Sequence, residues 1–125
     1  MRFWVTPSLL LAPFAAEAAK HSATPNRFGA IAYHRASQSW GVSHDYVRER
    51  DASVEALRQC ASPKCEVVHK FKNGGGALAD GKKAFAAASG ATRAEAETKA
   101  LKACAAKNGG AECRALAWAC TRPAR

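Results

Sequence analysis

Three short blocks of this chain occur twice, in the same order. Gly29-Ala30-Ile31-Ala32 returns as Gly76-Ala77-Leu78-Ala79, and Ala56-Leu57-Arg58-Gln59-Cys60 returns as Ala100-Leu101-Lys102-Ala103-Cys104. After each of those cysteines come a polar loop, a second cysteine and a β-like run, 65–71 in the first copy and 113–119 in the second. A repeat of this period is one supersecondary unit used twice. Each copy, at about 45 residues, is too small to bury a core of its own. The expectation is therefore a single duplicated domain over 28–121, with units of about 28–72 and 73–121.

The local patterns within a unit are consistent. Residues 28–34 form an apolar run that reads as a strand. Ala36-Ser37-Gln38 reads as a turn, and 39–45 as a second strand whose alternation puts Trp40, Val42 and His44 on one face. A helix over 51–61 would bury Val54, Leu57 and Ala61 at spacings of three and four. Arg48, at its start, is a poor cap, so that helix should begin raggedly. In the second unit, strands over 75–80 and 84–89 turn through Gly81-Lys82, and Thr92-Arg93-Ala94-Glu95 is a capping box. The helix that follows offers Ala94, Leu101, Cys104 and Ala105 as a narrow, alanine-rich stripe, and Asn108-Gly109-Gly110 ends it. Strand, strand, helix, strand, twice over, predicts an α+β fold: a mainly antiparallel sheet with two helices packed on it. Phe28, Tyr33, Trp40, Phe71, Phe85 and Trp118 are expected to build most of the core. Exposure of Trp40 or Trp118 beside basic side chains would instead mark a binding surface.

Residues 1–19 read as a secretory signal peptide. Arg2 is the positive start, Phe3 to Ala15 the apolar stretch, and Ala16-Glu17-Ala18 the small-x-small signal, with cleavage near Ala18 or Ala19. A membrane anchor fits less well, because the run is shorter than the ~20 residues of a bilayer span and contains Pro7 and Pro13. No later segment approaches that length. The reading is a secreted or periplasmic protein, with 20–27 as a flexible lead-in and 122–125 as a basic tail. Removing one base and one acid with the leader leaves the formal net charge at +9. Such a charge suits an anionic envelope component or an acidic protein as partner. Nucleic acid is not expected as a partner, since the bases are dispersed and no aromatic platform or recognition helix accompanies them.

The duplication sorts four of the five cysteines. Cys60 and Cys65 flank the joint between helix and third strand in one unit, and Cys104 and Cys113 flank the same joint in the other. Equivalent positions argue for the disulfides Cys60–Cys65 and Cys104–Cys113, each worth roughly 2–3 kcal/mol in loop entropy. The spacings lack the C-x2-C knuckles of structural zinc sites. Cys120 falls outside both pairs. Alternation gives it the same face as Leu116 and Trp118, so it should be a buried, inert thiol, with a Cys120-linked dimer as the alternative to a monomer.

The segments F-G-A-I-A-Y (28–33), W-G (40–41), C-E-V-V (65–68), N-G-G-G-A-L-A (73–79), G-A-T-R-A-E-A-E (90–97) and C-R-A-L-A-W-A-C (113–120) together resemble a bacterial secreted family, domain of unknown function 4189. The resemblance spans roughly 27–121. It implies export, a small α+β domain and paired cysteines, and no established reaction. The family pattern has a cysteine where this chain has Gly75, and an aromatic residue where it has Lys70. The resemblance implies that the missing cysteine would partner the equivalent of Cys120, which leaves that thiol over.

No catalytic constellation stands out. Residues 76–82 match G-x4-G-K, but Lys83 follows where a phosphate-binding loop needs Ser or Thr, so a strand and its turn is the better reading. Asp45, Asp51 and Asp80 are scattered, not paired for glycoside chemistry. His34, His44 and His69 are weak metal candidates should their strands converge. No metal or other cofactor is expected. The leading reading is a non-catalytic, disulfide-stabilised binding domain with an unidentified macromolecular partner. The alternative is a small secreted hydrolase or metal-dependent enzyme using His34, His44 or His69.

Overall fold

A computed structural model describes residues 25–122; the expected leader and most of the basic tail lie outside them. The elements are β1 (Phe28–His34), β2 (Ser39–Tyr46), α1 (Glu49–Gln59), β3 (Glu66–Lys72), β4 (Gly75–Asp80), β5 (Phe85–Gly90), α2 (Arg93–Lys107) and β6 (Arg114–Cys120). The fold is α+β, as the unit pattern predicts. The strands form two three-stranded antiparallel sheets, ordered β2-β1-β3 and β5-β4-β6.

Each sheet has one face on its own helix and the other on the opposite sheet. Ala30 and Ala32 of β1 pack on Ala52 and Ala56 of α1, while Ala77 and Ala79 of β4 pack on Ala96 and Ala100 of α2. Between the sheets lie Ile31, Tyr33, Phe71, Leu78, Ala117 and Ala119, drawn from both units. The order of layers is helix, sheet, sheet, helix. Central strands covered on both sides read as apolar runs rather than alternating ones, which is why both blocks of the repeat are so uniformly apolar.

Equivalent residues meet across this stack. Ile31 faces the region of Leu78, and Tyr33 reaches Asp80. Gly29 and Gly76 form a slot for one ring, since a side chain at either would overlap Phe71. The counterpart of Phe71 in the second unit is Ala119, so the slot between the two glycines holds one phenyl ring and breaks the symmetry. Other duplicated details keep it. A bulge falls at Val68 in β3 and at Leu116 in β6. Asn73 donates its amide to the Arg27 carbonyl (3.0 Å) and accepts the Arg27 amide on Oδ1 (2.9 Å); Thr121 makes the same two bonds with Gly74 (2.8 and 2.9 Å).

The helices correct the expected apolar stripes. On α1, Val54 is 56% and Leu57 39% exposed, while Ala52 and Ala56 are fully buried. On α2, Ala94 is exposed, and Ala96, Ala100 and Cys104 face the sheet. A Cβ on Gly41 of β2 would collide with the Ala56 carbonyl and the Cys60 amide, so the last turn of α1 sits directly on β2, with Ala52 and Ala56 on the inner side of the helix and Val54 and Leu57 off it. α1 begins with Arg48 in the cap position and no side-chain cap, as expected. On α2, Thr92 caps the Glu95 amide at 3.2 Å, but the Glu95 carboxylate reaches back to Ala91, not Thr92. Both expected disulfides are formed, Cys60–Cys65 and Cys104–Cys113.

Candidate functional site

The densest polar network closes one end of the sandwich. Asp80, the last residue of β4, is 5% exposed and accepts four hydrogen bonds. Oδ2 takes the Tyr33 hydroxyl (2.7 Å) and Gln38 Nε2 (2.9 Å); Oδ1 takes Arg35 Nε (2.8 Å) and the Gly81 amide (3.0 Å). Arg35 also donates to the Gly81 carbonyl, and Gln38 Oε1 accepts from Arg114 at 3.1 Å. First-unit residues thereby bind second-unit ones. Burial alone would raise the Asp80 carboxyl. The bonds from Arg35 and Tyr33, with the Arg35 charge and the Gly81 amide, outweigh it and hold the group below its usual range. Burial and the Asp80 partner push the Tyr33 phenol well up, so it stays a donor. Gln38 sits at φ 58°, a left-handed conformation that costs a non-glycine residue roughly 1 kcal/mol or more. A cleft of about 520 Å³ opens beside this network, between Gln38, Asp80, Gly81, Lys82, Glu112 and Arg114. Sequence reading missed the network, because its members come from three separate segments, 33–38, 80–81 and 114.

Trp40 and Trp118 are 41% and 42% exposed, which corrects their assignment to the core. They stand on β2 and β6, edge strands of different sheets that lie against each other. Edge strands leave part of their faces uncovered, and these two indoles extend past the alanine-thin packing. Arg93, the first residue of α2, stacks its guanidinium over the Trp118 ring at 3.9 Å. A groove between Val42, His44, Trp118, Ala119 and Cys120 runs alongside. Of the other aromatics, Tyr33 and Phe71 are core residues, Phe85 meets Tyr33 edge-on at 5.3 Å, and Phe28 packs against α1.

The three histidines are not brought together. His34 and His69 lie on opposite faces of their sheet by strand alternation. His34 shares a bond with Ser37 at 2.7 Å, and His44 lies 3.0 Å from Asp45. His69 is half-buried, its Nε2 has no hydrogen-bond partner, and burial lowers its pKa. Among the described residues no three His, Cys, Asp or Glu side chains group as metal ligands.

Cys120 is buried at 7% exposure and is in neither disulfide. The expected shared face with Leu116 does not form. The bulge turns Leu116 into the layer between the sheets, while Trp118 and Cys120 lie on the helix side. Cys120 pairs in register with Gly75, and a Cβ at Gly75 would stand 3.0 Å from its sulfur.

Among the described residues no helix is long and apolar enough to cross a membrane. A family model described as Domain of unknown function (DUF4189) matches residues 28–120. No curated protein and no solved structure matches the chain.

Proposed function

The chain belongs to the DUF4189 family, a domain of unknown function, and from that premise we propose that it is a non-catalytic interaction domain. It works in an oxidising compartment outside the cytoplasm and grips a macromolecular partner with the surface around Trp40 and Trp118. The observation that carries this reading is the exposure of both indoles, one of them held in place by Arg93. Large aromatic residues and arginine are enriched where proteins meet partners. Fixing an indole in advance lowers the ordering cost of binding. The two disulfides and the leader-like N-terminus favour the compartment. The +9 charge favours an anionic envelope component or an acidic protein as partner.

Capture by the mature protein from its own envelope and culture supernatant tests this. Partner retained by the wild type and lost by the Trp40→Ala/Trp118→Ala variant, with unchanged melting temperature, supports the reading. Equal retention by both proteins contradicts it.

A further inference from the structure

We propose that the cleft between the β4–β5 turn and the start of β6 binds an oxyanion, such as the phosphate or carboxylate group of an anionic polymer. This site does not depend on the tryptophan surface. Its walls carry three acidic or basic groups besides Asp80. Lys82 and Arg114 are positive, and Glu112, solvent-exposed, is negative. Asp80 does not cancel the cations for an incoming anion, because its charge is already paired with Arg35 at 2.8 Å. The backbone strain at Gln38 has a use on this account. Its side chain spans from Asp80 to Arg114 and fixes the Arg114 guanidinium at the cleft through a single Nη2 bond. Arginine has five N–H donors in a planar fork that matches carboxylate and phosphate. One is used in the described hydrogen bonds, and the others remain for a ligand. Lys82, from the adjoining turn, supplies a second, exposed cation.

The test is a nuclear magnetic resonance titration of the full chain with glycerol 3-phosphate in one arm and glucuronate in the other, against a constant chloride background. The proposal expects saturable shifts at the Gly81 and Lys82 amides and at the Arg114 side chain in at least one arm; the arm that saturates identifies the oxyanion. Lys82→Gln and Arg114→Gln should each weaken binding at least about tenfold, as loss of one charged hydrogen bond implies. Lys64→Gln, which removes the same charge outside the cleft, should leave it unchanged. Non-saturating shifts in both arms overturn the proposal, as does equal weakening by Lys64→Gln.

Discussion

Tyr33 donates its hydroxyl to Asp80 at 2.7 Å from positions that the duplication makes equivalent, so one hydrogen bond joins a site in the first unit to its own counterpart in the second. Tyr33→Phe leaves the buried carboxylate one donor short and should destabilise by about 1–3 kcal/mol. Denaturant titration reads this directly; a change under half a kilocalorie would show that Arg35, Gln38 and Gly81 suffice.

The same pair gives the stability profile two limbs. The Asp80 carboxyl is held below its unfolded value, so its contribution is present above an ordinary carboxylate pKa and is lost as the pH falls further. The Tyr33 phenol is raised above its unfolded value of about 10, so its contribution is present below that pH and is lost as the pH climbs. Asp80→Asn should flatten the acid limb and lower the plateau. An unchanged acid limb would assign acid unfolding to other groups.

His69 adds a limb at milder pH. Its folded pKa is lowered by burial, so stability is full above the unfolded value of about 6.5 and declines as the pH falls below it. In His69→Gln the melting temperature should vary less between pH 7 and pH 5 than in the wild type. The same dependence in both proteins would remove His69 as its source.

Much of this fold can be read in the chain because duplication lets each copy check the other. Strand positions and both disulfides follow from repeated local patterns, and the cap at Thr92 from the Thr-x-x-Glu box of the second unit alone. The buried helix faces do not. Apolarity pointed to Val54 and Leu57, whereas Ala52 and Ala56 are the residues turned to the sheet, and the rotation of α1 about its axis is a tertiary fact. Trp40 and Trp118 were misassigned to the core for the same reason: residue type gives no warning that an edge strand leaves them uncovered. The Asp80 network was invisible because Tyr33, Gln38 and Arg114 are brought together only by stacking one sheet on the other.

Position 75 offers a covalent test of the register. A Cβ there would lie 3.0 Å from the Cys120 sulfur, within disulfide reach, with the Thr92 carbonyl and Arg93 amide at 3.1 and 3.2 Å as tight neighbours. Gly75→Cys should form a third disulfide, read as loss of thiol titre, with a gain of up to about 4 kcal/mol for closing so long a loop. Two titratable thiols in the oxidised protein would contradict the pairing of β4 with β6. The wild type, its Cys120 buried, should run as a monomer in non-reducing electrophoresis; a disulfide-linked dimer band would contradict that.

The slot around Phe71 should show coupling. Gly76→Ala forces a methyl group into the ring and should cost about 1–3 kcal/mol, as overpacking does. In Gly76→Ala/Phe71→Leu that cost should shrink, because the smaller side chain gives way. Strict additivity in the double-mutant cycle would argue against the shared slot.

The most direct test of the functional account is fluorine resonance of a chain spanning residues 20–125 labelled with 5-fluorotryptophan, in which Trp40 and Trp118 are the only tryptophans. On titration with the envelope or supernatant fraction that the protein retains, both signals should shift or broaden together. Retention with both signals unmoved would contradict a partner surface built on these two indoles.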